Sequence, residues 1–95
     1  MNHKETLGKP VAAKSVTVAY TGTAGTVALG DCSVVRLVST TDCFIEITQA
    51  GTAAVANTGL YLPSGSPEYF PCERGSSVSA IQVSAGGSIY ATPIV

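Results

Sequence analysis

Val34-Val35-Arg36-Leu37-Val38-Ser39-Thr40-Thr41-Asp42-Cys43-Phe44-Ile45-Glu46-Ile47-Thr48 is two runs of alternating side chains separated by three small polar residues. Strict alternation has the period of a half-buried strand, and Val, Ile, Thr and Phe suit a pleated surface. Reading Thr40-Thr41-Asp42 as a three-residue hairpin loop sets Ser39 opposite Cys43, Leu37 opposite Ile45 and Val35 opposite Ile47. That register collects Val35, Leu37, Cys43, Ile45 and Ile47 on one apolar face. It also sets Arg36 opposite Glu46 on the other, a structural pair of about 0.2–1 kcal/mol that would fix the register. Val34, Val38 and Phe44 surround the pair. Such a face is too apolar for free solvation and calls for a cover, either a long loop or a partner.

The rest of the chain repeats this pattern on both sides. Val16, Val18 and Tyr20 share one face of a strand that begins after Ser15, and Thr21–Gly25 is a turn. Thr26–Leu29 is a second short strand, with Val27 and Leu29 in phase, broken by Gly30-Asp31. Gln49–Thr58 is rich in Ala, Gly and Thr and reads as a loop, with one irregular strand at Ala53–Ala56. Gly59–Leu62 and Glu68–Cys72 are strands around Pro63-Ser64-Gly65-Ser66-Pro67, where each proline fixes φ and the glycine frees it. Pro71 marks an edge or a bulge. Glu73-Arg74-Gly75-Ser76 is a tight turn. A three-residue Ala85-Gly86-Gly87 loop sets Val83 opposite Ile89 and Ile81 opposite Ala91, again with one apolar face.

About seven to eight short strands without a convincing helix indicate an all-β fold, a small antiparallel β-sandwich or jelly-roll-like barrel. The body spans residues 15–95. Met1–Lys14 lacks periodicity and contains the breaker run Gly8-Lys9-Pro10, so it reads as an extended N-terminal arm. At 95 residues the chain is one domain, small enough to gain from a partner or from oligomerisation.

Charge is sparse. Lys and Arg number 5 against 6 Asp and Glu, for a net charge of −1. Lys4, Lys9 and Lys14 lie in the arm, and Arg36 and Arg74 stand apart, so the clustered cations of a nucleic-acid surface are missing. No apolar run approaches the ~18 residues of a membrane span, and Met1–Glu5 has no hydrophobic leader. The 3 cysteines, Cys32, Cys43 and Cys72, are odd in number and widely spaced. They read as small buried hydrophobes of a chain made in a reducing cytoplasm, the alternative being one disulfide and a free thiol.

Residues for catalysis are equally sparse. His3 is the only histidine and sits in the arm, which leaves no Ser-His or Cys-His couple. Glu46 is absorbed by Arg36, and Asp31 and Asp42 by turns, so no carboxylate dyad remains. The glycine-rich turns precede no helix, and no phosphate-binding or metal-ligand spacing occurs. We therefore expect no enzyme and no cofactor. Tyr20, Tyr61, Tyr69, Phe70 and Tyr90 are the side chains able to form a protein- or sugar-binding platform. Adjacent Tyr69 and Phe70 must point to opposite faces, so one of them turns away from the core.

Asp42-Cys43-Phe44-Ile45-Glu46-Ile47, Leu62-Pro63-Ser64-Gly65-Ser66-Pro67-Glu68-Tyr69-Phe70, Val78-Ser79-Ala80-Ile81-Gln82 and Ala85-Gly86-Gly87-Ser88-Ile89-Tyr90-Ala91-Thr92 resemble the small β-rich virion proteins of tailed bacteriophages. The resemblance runs from Asp42 to Thr92 and does not include Met1–Leu29. It implies a structural role on the virion, as a capsid decoration (cement) protein that binds the assembled shell. The alternatives are a head–tail junction or tail accessory protein, and a carbohydrate-binding module. The implied partner is the major capsid protein or another virion protein, with the chain itself a trimer or dimer. Lys4, Lys9 and Lys14 of the arm, the Val38 and Phe44 face, and Tyr69 with Phe70 are the expected partner contacts, the arm by adding a strand to a neighbouring sheet edge.

Overall fold

A computed structural model describes residues 15–30 and 33–94. The expected arm, with Lys4, Lys9 and Lys14, lies outside the described residues. Eight strands follow in order: β1 (Val16–Tyr20), β2 (Gly25–Gly30), β3 (Val34–Ser39), β4 (Cys43–Thr48), β5 (Leu60–Leu62), β6 (Glu68–Pro71), β7 (Ser76–Gln82) and β8 (Gly87–Ile94). They form two four-stranded antiparallel sheets, ordered β1-β8-β3-β6 and β2-β7-β4-β5.

The pairing has a simple rule. The first strand pairs with the last, the second with the seventh, the third with the sixth and the fourth with the fifth. This is a long two-stranded ribbon with the β4–β5 connection at its tip, rolled up so that β8 also meets β3 and β7 also meets β4. The arrangement is that of a jelly roll, which closes a core between two sheets. Every connection except β4–β5 therefore passes from one sheet to the other.

The expected hairpins are overturned by this topology. β3 and β4 lie in different sheets, so Leu37 is not paired with Ile45, nor Val35 with Ile47. Leu37 pairs with Ala91 and Glu68, and Ile45 with Ala80 and Leu60. Arg36 and Glu46 consequently face away from each other on opposite outer surfaces, and their pairing is corrected. β7 and β8 are likewise in different sheets. Ile89 pairs with Val18 and Ser39, not with Val83. The physical reason is common to both cases. Alternation decides which side chains point inward, and inward-facing residues can meet across the core as well as along a hairpin.

The inward set follows the alternation on β1, β3, β4 and β8, but Ile81 and Val83, expected on an apolar face with Ile89 and Ala91, are corrected: Ile81 points outward beside Phe44 and Val83 is exposed. Val35, Leu37, Cys43, Ile45, Ile89 and Ala91 are fully excluded from solvent, joined by Val18 and Tyr20 from β1 and Leu62, Val78 and Ala80 from the other strands. Ile47 only partly joins them at the end of β4. Each fully buried Leu or Ile contributes roughly 1.5–3 kcal/mol of transfer free energy. Phe70 packs against this core while Tyr69, its neighbour, is exposed.

Thr40-Thr41-Asp42 crosses between the sheets and ties the connections at one end of the roll together. Thr40 donates its N–H to the Ser88 carbonyl at 3.0 Å and receives the Ser88 N–H on its hydroxyl at 3.0 Å. Thr41 donates to the Ala85 carbonyl at 3.1 Å and sits 2.8 Å from the buried Tyr20 hydroxyl. Asp42 accepts the Ser64 N–H at 2.9 Å. Three polar side chains thus hold the β1–β2, β5–β6 and β7–β8 crossings in register. Gly87 is fitted beneath them, since a side chain there would come within 2.5 Å of both the Thr40 and Thr41 hydroxyls.

The remaining turns fall close to expectation. Ser76 donates its N–H to the Glu73 carbonyl at 3.0 Å, closing the Glu73–Ser76 turn, and β6 with Pro71 is a sheet edge. The irregular strand expected at Ala53–Ala56 is absent, because those residues belong to a turn-containing loop that pairs with no strand. The cysteines are also corrected. Cys72 is disulfide-bonded, and Cys43 is a buried free thiol. Cys32 lies outside the described residues.

Candidate interaction face

The two outer surfaces of the roll are treated differently by the chain. On the β2-β7-β4-β5 sheet, Phe44, Glu46, Ser79 and Ile81 point outward, as the opposite phase from Cys43, Ile45, Val78 and Ala80 demands. The β4–β5 connection, residues 49–59, folds back over this surface. Thr52 donates its N–H to the Thr48 hydroxyl at 2.9 Å, and Ala54 donates its N–H to the Ser79 hydroxyl at 2.9 Å. Ser79 in turn accepts from the Thr26 hydroxyl at 2.9 Å and donates to the Gly25 carbonyl at 3.0 Å, so its one oxygen joins the loop to β2 and β7. Gly59 closes the loop with φ of 89°, and a Cβ there would come within 2.7 Å of the Ile45 carbonyl. As a result Ser79 is buried although it lies outside the sandwich, and Ile81, beside Phe44 on the same surface, is buried too.

Phe44 shares this surface with Tyr61, ring centroids 5.8 Å apart and edge to face. The Tyr61 hydroxyl interacts with the Asp42 carboxylate. That interaction, with the Ser64 N–H behind it, holds the Asp42 carboxyl below its usual range, and the same interaction raises the Tyr61 phenol. Phe44 is therefore a contact within the chain.

The β1-β8-β3-β6 sheet is covered by no described segment. Its outward residues follow from the pairing. Val38 lies beside Tyr90, which lies beside Thr17; Arg36 stands between Tyr69 and Thr92; Val34 stands between Pro71 and Ile94. Tyr69 is 60% exposed and Tyr90 49%, values that leave both rings open to a partner. Among these outward positions Arg36 is the one charged side chain. Among the described residues no ion pair forms on it.

The sequence-derived candidates therefore separate. Val38 and Tyr69 come together on the bare face, with Arg36 between their neighbouring positions. Phe44 belongs to the opposite, self-covered surface, and Phe70 to the core. Tyr20 is buried, its phenol raised chiefly by burial, and it braces Thr41 instead of forming a platform. Tyr90 completes the bare face, and its phase opposite Ile89 and Ala91 was the sequence signal for it.

Little else on the surface carries chemistry. A cleft of about 360 Å³ lies between the end of β4 and the β6–β7 turn, lined by Ile47, Thr48, Gln49, Pro71, Cys72, Glu73 and Ser76. It offers one carboxylate and no second titratable acid or base. Burial pushes the Cys43 thiol up, away from nucleophilic character. Among the described residues no group of three or more His, Cys, Asp or Glu side chains could hold a metal ion. Among them, too, no helix is long and apolar enough to cross a membrane. Compared with known proteins, the chain matches no family model, no curated protein and no solved structure.

Proposed function

We propose that the chain is a structural virion protein, a capsid decoration protein that binds an assembled shell through the outer face of its β1-β8-β3-β6 sheet. The observation behind this reading is the asymmetry of the two outer surfaces. One is partly covered by the chain's own loop and its exposed ring, Tyr61, is engaged edge to face by Phe44, while the other exposes Tyr69 and Tyr90 among Val34, Val38 and Ile94 with no cover among the described residues. Aromatic and aliphatic side chains presented together on a rigid sheet are the substance of a protein-binding surface.

Two further considerations support the same reading. The segment Asp42–Thr92 resembles small virion proteins of tailed phages. Jelly rolls also host viral capsid and lectin domains, an analogy of architecture alone. In this role the chain acts by contact, without catalysis or cofactor. Its partner is the major capsid protein or another virion protein, and many weak contacts repeated over a shell suffice through avidity. Self-association as a dimer or trimer would use a different surface from the bare sheet.

Purified particles from the strain that encodes the chain provide the test. Quantitative mass spectrometry should find it in hundreds of copies per particle, at the shell surface. A dozen or fewer copies would assign it to the head–tail junction or tail instead. Absence from particles would refute a virion role. The exposed pair Tyr69 and Tyr90 also favours a carbohydrate-binding module as second reading, and a glycan array probed with the purified chain would reveal that specificity.

A further inference from the structure

Arg36 on the bare face is not explained by apolar contact. It lies on β3, an inner strand, with Tyr69 and Thr92 beside it across the sheet and Val34 and Val38 two residues away on its own strand. The side chain is half-buried, and no carboxylate of the described residues pairs with it. Among the described residues no acid is paired with the guanidinium, which leaves it to solvent there. A partner that covers the face removes this water, and a covered charge without a counter-charge opposes binding strongly.

The occupant must therefore bring its own anion. A second copy packed face to face about a two-fold axis would cover both guanidinium groups without supplying either with a carboxylate, because these outward positions include no acid. A neutral glycan offers hydroxyls and no charge. A protein surface with an Asp or Glu set among apolar residues satisfies both parts of the face at once. The planar guanidinium takes a carboxylate through two parallel N–H bonds, and the flanking tyrosines exclude water from them.

We propose that Arg36, flanked by Tyr69 and Thr92 with Tyr90 on the diagonal, recognises a single carboxylate within an apolar patch of a different protein, which on the virion reading is a shell subunit. The assignment rests on that reading for the partner's identity. Arg36 is then the residue that sets which patch on the shell is chosen, since any other patch leaves a buried charge unpaired.

The test adds purified full-length chain to particles made without it and counts bound copies. Wild type should bind. R36E should lose at least ~tenfold in occupancy at equal concentration, with an unchanged thermal melt showing that the body is folded. V55D, on the exposed loop over the opposite sheet, should bind as wild type does. In R36K, a water-soluble carbodiimide should join the new amine at position 36 to an Asp or Glu of a shell subunit, located by peptide mass spectrometry. Wild type and R36E bound equally would overturn the carboxylate assignment alone. Wild type failing to bind would overturn the virion reading, and this assignment with it.

Discussion

Replacing Ser79 by alanine should detach the 49–59 loop from the sheet it covers. The Ser79 oxygen makes three hydrogen bonds, to Ala54 N–H, the Thr26 hydroxyl and the Gly25 carbonyl, and the residue is 1% exposed. Not all three losses weigh equally. Thr26 is exposed and its hydroxyl can turn to water. Ala54 is buried, so its N–H is left without a partner, and an unsatisfied buried donor costs about 1–3 kcal/mol. The expected loss is therefore about 2 kcal/mol. For a domain of this size each kcal/mol lowers Tm by roughly 4–8 °C, which gives a fall of about 8–16 °C. Thermal unfolding followed by circular dichroism measures that fall. Amide hydrogen exchange should show Ala54 protected in the wild type and open in S79A, while the amides joining β3 to β8 keep their protection. A Tm within about 2 °C of wild type, with the Ala54 amide still protected, would refute the anchoring role of this hydroxyl.

Two other outcomes follow from particular side chains. The Asp42 carboxyl is held below its ordinary 3.8, first by the Tyr61 hydroxyl and then by Ser64, so this interaction adds stability above the unfolded value and loses it as pH falls through the lower folded one. Tyr61 is raised from 10.0 by the same interaction, so its contribution is present below that value and is lost as pH rises through the folded one. Urea midpoints should therefore show wild type ahead of D42N near neutrality, with the two converging at both extremes; a constant gap across pH would contradict the interaction. Iodoacetamide should leave Cys43 unlabelled in the native chain and label it on denaturation without reduction, while Cys72 takes up label only after reduction, each read as a peptide mass shift. Rapid labelling of Cys43 in the native chain would contradict its burial.

The strands and their inward faces were legible in the sequence because alternation is a local property. Val35, Leu37, Cys43 and Ile45 had to share a core whichever strands they paired with. The partners of those strands were not legible. The same four residues satisfy a β3–β4 hairpin and a pair of facing sheets equally well, and the choice between them depends on contacts far away in sequence. Thr41 reaching Ala85, Asp42 reaching Ser64 and Tyr20 reaching Thr41 are three of these. Arg36 and Glu46 misled for the same reason: opposite charges at matching offsets look like a pair only if the hairpin is assumed. The face too apolar for water was legible as a need for a cover. Its split was not, for Phe44 went to the surface partly covered by the 49–59 loop, while Val34 and Val38 went to the bare one. Ile81 illustrates the limit most directly. β7 has apolar residues in both phases, so alternation alone could not say that Val78 and Ala80 face in and Ile81 faces out beside Phe44.

The pairing of the first strand with the last has a consequence for synthesis. β8 is an inner strand, bonded to β1 on one side and β3 on the other. During translation β1 emerges early and has no partner until Gly87–Ile94 has left the ribosome. Its edge, Val16–Tyr20, contains neither proline nor charge to discourage a wrong partner in the meantime. Sheets built from such distant segments also close slowly, because a long loop must be ordered before its contacts form. The nascent chain is thus open to mispairing from the emergence of Val16–Tyr20 until Gly87–Ile94 follows, and the arrival of β8 is the event that permits β1 to pair.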